Sequence, residues 1–191
     1  RQTGLIAIKL DDGDELRWVK HSSGKEDVVI STSFGQAIRF NEQDARPMGR
    51  SARGVRGIRL RPGDSVVGMD LAEEGKNLLL LSENGYGKMT KVANFPSHRR
   101  GGIGIKAAVV SGKTGNLITV KSLDTDASEI IAISAGGQTI RVALKDIPLL
   151  GRATQGVRIM RLANGDSVAS VGLIPEQTKE LSDDDTKETA Q

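Results

Sequence analysis

Residues 54–67, GVRGIRLRPGDSVV, have a near-copy at residues 156–168, GVRIMRLANGDSV, and this pair decides the fold. In each, a glycine leads a short apolar run and a Gly-Asp pair follows nine residues later. Gly and Asp tolerate the backbone of tight turns, so the pattern predicts strand, hairpin turn, strand. The arrangement recurs at Gly4 (GLIAIKL, then Gly13) and at Gly104 (GIKAAVV, then Gly115), with anchor glycines 50, 50 and 52 residues apart.

Two further elements complete each unit. An apolar run, a turn and a strand ending in basic residues form DVVISTSFGQAIRF (27–40), NLLLLSENGYGKMTKV (77–92) and EIIAISAGGQTIRV (129–142), with Gly35, Gly87 and Gly137 as turn glycines. A linker then leads to the next anchor: PMGRSARG (47–54), PSHRRGGIG (96–104) or LLGRATQG (149–156). No 3.6-residue apolar period is sustained, and breakers fall every 8 to 12 residues or so. The expected fold is all-β, a propeller-like repeat of four-stranded antiparallel blades of about 50 residues. Units start near Gly4, Gly54, Gly104 and Gly156, and three and a half units make a partial or open ring of roughly four blades.

Composition narrows the function. The 191 residues carry no cysteine and only two histidines, which excludes a disulfide framework and thiolate metal sites and leaves too few ligands for a histidine site. No metal, cofactor or catalytic residue is expected. No apolar run approaches the roughly 18 residues of a membrane span, so a cytoplasmic protein without membrane contact is expected. The net charge of +3 divides unevenly: residues 175–191 hold two lysines against six acids, leaving 25 basic and 18 acidic residues in the body, 1–174. A tail with Leu181 as its only large apolar residue cannot offset its ordering entropy, so 175–191 is expected to be a disordered acidic end.

The succession GDELRWV, DVVISTSFGQAIRF, RPMGRSARGVRGIRL, SENGYGKMTKVANFP, RRGGIGIK and LLGRATQGVRIMRLANGDSV resembles the carboxy-terminal domain of bacterial DNA gyrase A. That resemblance implies a β-pinwheel, a propeller-like disc whose blades exchange strands and whose basic rim wraps duplex DNA during negative supercoiling by an ATP-dependent type II topoisomerase. It implies as partners double-stranded DNA, the remainder of gyrase A, gyrase B and this chain's own acidic tail. Two alternatives stay open: the equivalent C-terminal domain of topoisomerase IV, and a protein-interaction propeller with a basic rim. The family carries a box, Gln-Arg-Arg-Gly-Gly-Lys-Gly, and HRRGGIG (98–104) matches it at Arg99, Arg100, Gly101, Gly102 and Gly104 while departing at His98 and Ile103.

Guanidinium forks match phosphate oxygens and glycines allow close backbone approach, so this loop suits phosphate contact without base readout. Aligning the units on their anchor glycines places Arg50, Arg100 and Arg152 in one register. Arg39, Lys91 and Arg141 are taken as the ends of the basic strands, Arg59 and Arg161 align beyond the anchors, and Arg53 and Lys106 add to the same rim. DNA contact is one reason for an arginine to recur; binding the carbonyls of a neighbouring strand is the other. Gly112-Lys113-Thr114 lacks the earlier glycine of a P-loop, and Tyr86 has no base or carboxylate cluster beside it, so both read as structural.

Overall fold

The computed structural model describes residues 4–123 and 127–176, and within them every sheet is antiparallel and no α-helix occurs. The first sheet has the order β3-β1-β2-β6, built from β1 (Asp27–Thr32), β2 (Gln36–Asn41), β3 (Val66–Ala72) and β6 (Ile105–Lys106). The second, β10-β5-β4-β7, combines β4 (Asn77–Ser82), β5 (Tyr86–Lys91), β7 (Leu117–Ser122) and β10 (Val157–Arg158). The third, β11-β8-β9, combines β8 (Ala127–Ser134), β9 (Thr139–Ala143) and β11 (Val168–Pro175). The expected tail lies almost wholly outside the described residues.

Two expectations change here. Each unit was read as one blade, but the sheets draw on successive units: a central hairpin from one, an edge strand from the Gly-Asp element of the next and, in the first two sheets, the opposite edge strand from the anchor of the one after. The physical reason is edge protection, because a lone hairpin exposes two rows of backbone donors and acceptors. The described residues hold three such hairpins and form three sheets rather than four blades. The segments after Gly4 and Gly54 form no strand of these sheets. Leu5 and Ile6 are accordingly 67% and 78% exposed.

The turn glycine of the second hairpin is Gly85, not Gly87. Gly35, Gly85 and Gly137 hold the positive φ, whereas Gly87 pairs inside β5. The Gly-Asp turns at Gly63 and Gly165 also reach the hairpin tip of the preceding unit. Asp64 Oδ1 accepts from Ser33 Oγ (2.8 Å) and the Phe34 amide (2.9 Å), and Asp166 Oδ1 accepts from the Gly136 amide (2.8 Å). At the third position the polarity inverts, with Glu83 accepting from the Asn116 amide at 2.8 Å.

β4 sits at the centre and its leucines alternate between two cores, as a strand buried on both faces must. Leu78 and Leu80 join Val29, Ala72, Phe95 and Val120 between the first and second sheets, while Leu79 and Leu81 join Ile130, Ile147, Met160 and Val168 between the second and third. A smaller cluster of Ile38, Phe40 and Ile58 lies against the segment carrying the first linker's anchor.

Candidate nucleic-acid interface

After β5 the chain makes a single 3-10 turn, Val92–Asn94, and runs back along the preceding sheet before entering β6. His98 donates its amide to the Arg39 carbonyl (2.7 Å), Gly101 donates to Gly57 O (2.5 Å), and Arg59 donates to Gly102 O (2.8 Å). The box-like loop therefore lies beside residues 56–59 of the preceding unit. Gly101 and Gly104 both adopt positive φ, and a Cβ on Gly104 would strike the Ala37 carbonyl. Both glycines are required by the backbone, whatever else they do.

The predicted cations fall into two groups. Arg100 turns inward: its Nε donates to Asp44 O (2.9 Å) and its Nη1 to Arg56 O (3.1 Å). Arg152 does the same one unit later, donating to Lys106 O at 2.7 Å. Arg56 and Lys106 each stand two residues past their anchors, so the recurring arginine is an inter-blade clamp on a carbonyl. Arg50, in the same register, has no such partner among the described residues.

Arg39 is not on the rim. It is buried, with Nε on Asp27 (2.7 Å), Nη2 on Glu74 (2.5 Å) and Nη1 on the carbonyls of Val92 and Phe95. Lys91 also leaves the expected register: strand pairing aligns Arg39 with Met89 and Arg141, and Lys91 with Asn41 and Ala143. Lys91 remains exposed at the mouth of its 3-10 turn. Arg141 is exposed but ion-paired to Glu129, and Arg53 is ion-paired to Asp11 at 2.7 Å. Lys106 and Arg161 keep exposed side chains.

The other group is open. Arg99, Arg50 and Arg59 are exposed with no carboxylate or carbonyl partner for their side chains among the described residues, and sequence reasoning missed Arg46, Arg56 and Arg61, which share that state. The missed signal was density: residues 46–61 contain six arginines and no acid. The backbone bonds from the box-like loop to Gly57 and Arg59 bring Arg99 beside the segment that carries Arg56 and Arg59.

The family model of the DNA gyrase C-terminal domain, beta-propeller, matches residues 1–23, 26–73, 76–124 and 128–175. The chain belongs to that family. The DNA gyrase A protein of Aminobacterium colombiense is 43% identical over 173 residues, covering 91% of this chain and 21% of the relative. Its counterpart from Staphylococcus aureus is 39% identical over 191 residues, covering 99% and 21%. The chain thus spans about a fifth of the curated relatives it matches. A solved gyrase A C-terminal domain superposes with a TM-score of 0.77 at 28% identity, covering 90% of this chain and 58% of that one. The C-terminal domain of DNA topoisomerase IV gives 0.82 at 20% identity, covering 88% and 53%, which is a likeness of fold alone. The last three matched segments begin within one residue of β1, β4 and β8 rather than at the anchor glycines.

Two sequence signals read as structural have physical partners here. Tyr86 is buried, with the cations of Lys113 and Arg158 over its ring and its hydroxyl accepting from Arg158 at 2.9 Å. Thr114 is buried in the turn closed by the Ser111–Gly115 bridge. Among the described residues no group of three or more His, Cys, Asp or Glu side chains could hold a metal, and no helix is long and apolar enough to cross a membrane.

Proposed function

We propose that this gyrase-family domain binds duplex DNA independently of sequence, by phosphate contacts along the band Arg46–Arg61 and the adjoining Arg99. The parent molecule would be gyrase A, working with gyrase B in ATP-dependent negative supercoiling. The observation that carries this reading is the set of exposed arginines, Arg46, Arg50, Arg56, Arg59, Arg61 and Arg99, whose side chains have no carboxylate or carbonyl partner among the described residues. Arginines that satisfied carbonyls or carboxylates would have little left for phosphate; these do not. Contacts spread over a curved surface bind DNA by charge and deformability, without a base code. The topoisomerase IV alternative is disfavoured by the higher identity to gyrase A relatives. Regulation by the acidic tail, which lies outside the described residues, remains an expectation of the same reading.

The test is fluorescence anisotropy with a labelled duplex over a salt series. Substituting Arg56, Arg59 and Arg99 together by alanine should lower affinity and reduce the log-log salt slope by about 0.9 for each phosphate no longer neutralised. An unchanged slope would remove this surface from the interface.

A further inference from the structure

The linkers of the second and third units follow the same path yet rest on different supports. In register with the anchor glycines, Ile38, Lys88 and Ile140 occupy one position of the central hairpins. Ile38 lies under the box-like loop, its Cδ1 3.6 Å from where Gly102 would carry a Cβ. Lys88 lies under the next linker, where Thr154 takes the place of Gly102. Its side chain is 1% exposed, and its Nζ donates to the carbonyls of Gly151 (2.8 Å), Arg152 (2.5 Å) and Thr154 (3.1 Å) and to Thr154 Oγ1 (3.1 Å).

That arrangement is costly without a purpose. A buried ammonium normally has an anion beside it, but among the described residues the groups facing Lys88 are uncharged apart from Arg152: Leu80 and Ser82 of β4, Tyr86 of its own strand, Thr114 of the turn, and Gln155 of the linker. Where an isoleucine would bury apolar surface at little cost, this position keeps a cation whose donors all point into the linker. We propose that Lys88 is a positioning residue: with Thr154 it sets the course of Gly151–Thr154, and so aims Arg152 at the Lys106 carbonyl that joins the second sheet to the first. Ile38 with Gly102 is the apolar version of the same support. Each support matches its own loop, and the two partners of a support must be exchanged together.

The loop can be read without DNA. The Val109 amide donates to Thr154 O at 3.1 Å, so its hydrogen exchange reports whether Thr154 is held. In the 191-residue chain, Lys88→Ile should speed Val109 exchange at least tenfold while the amides of β4 and β5, such as Leu80 and Thr90, keep their protection. Lys88→Ile with Thr154→Gly should return it to within about threefold of the original, whereas Thr154→Gly alone should not protect it. The DNA readout rests on the function proposed above: duplex affinity should change by less than about twofold in either variant, because the phosphate contacts assigned there lie on Arg46–Arg61 and Arg99 and not on this linker. If the unaltered chain binds no duplex, the proposed function fails and the exchange data still judge Lys88. Unchanged Val109 exchange in Lys88→Ile, or a double variant no better than the single one, overturns the positioning role. General loss of protection in β4 and β5 also overturns it, since Lys88 would then be holding the sheet and not the loop.

Discussion

Lys88 should make the stability of this domain rise with pH where most proteins begin to lose it. Burial first, then the neighbouring Arg152 guanidinium, lowers its ammonium pKa from the ordinary 10.5 to about 8. Below about pH 8 the lysine is charged in both folded and unfolded chains. Between about 8 and 10.5 the unfolded chain binds more protons, so stability climbs with pH, and it is lost again as pH falls through the folded value. Because a difference of one in pKa corresponds to about 1.36 kcal/mol, the full effect is about 3 kcal/mol, and about 1 kcal/mol of it falls between pH 7 and pH 9. Urea unfolding of the original chain and of Lys88→Met at pH 7, 8 and 9, followed by circular dichroism, isolates the contribution, because other titrating groups cancel in the difference. The stability of the original relative to the variant should grow by about 1 kcal/mol or more over that range. A difference that stays flat or falls would show that Lys88 is solvated in the folded chain and refute the argument.

Three further outcomes follow from the same geometry. Arg39→Ala should destabilise by about 3 kcal/mol or more in urea unfolding, because it strands Asp27 and two carbonyls, yet leave the salt slope of DNA binding unchanged. Arg99→Ala should weaken duplex binding without moving the unfolding midpoint, whereas Arg100→Ala should cost about 1 to 3 kcal/mol of stability through the unpaired carbonyls of Asp44 and Arg56. Gly54→Ala should cost only the roughly 1 kcal/mol of a left-handed backbone, while Gly104→Ala, whose Cβ would strike the Ala37 carbonyl, should cost at least twice that by thermal unfolding. Equal losses at Gly54 and Gly104 would contradict the close approach.

The sequence by itself determined the repeat, the strand content and the chemistry of the rim, because those depend on periodicity, turn residues and charge, which are local. It located the box-like loop, and it named both reasons for the recurring arginine without being able to choose between them. In the tertiary structure Arg100 and Arg152 reach carbonyls of the preceding unit. Arg50, Arg100 and Arg152 share a register, but whether a guanidinium is spent on a carbonyl depends on what lies two residues past the previous anchor, 44 residues back for Arg100 and 46 for Arg152. Arg39 reads like any rim arginine until β2 is seen packed against the second unit, with Glu74 and the turn at Val92–Phe95 closing over it. The allocation of strands to sheets was hidden for the same reason. A repeat shows where each strand begins, but the hydrogen bonds that cap a hairpin's edge come from the next two units, and sequence spacing carries no record of which edge they meet.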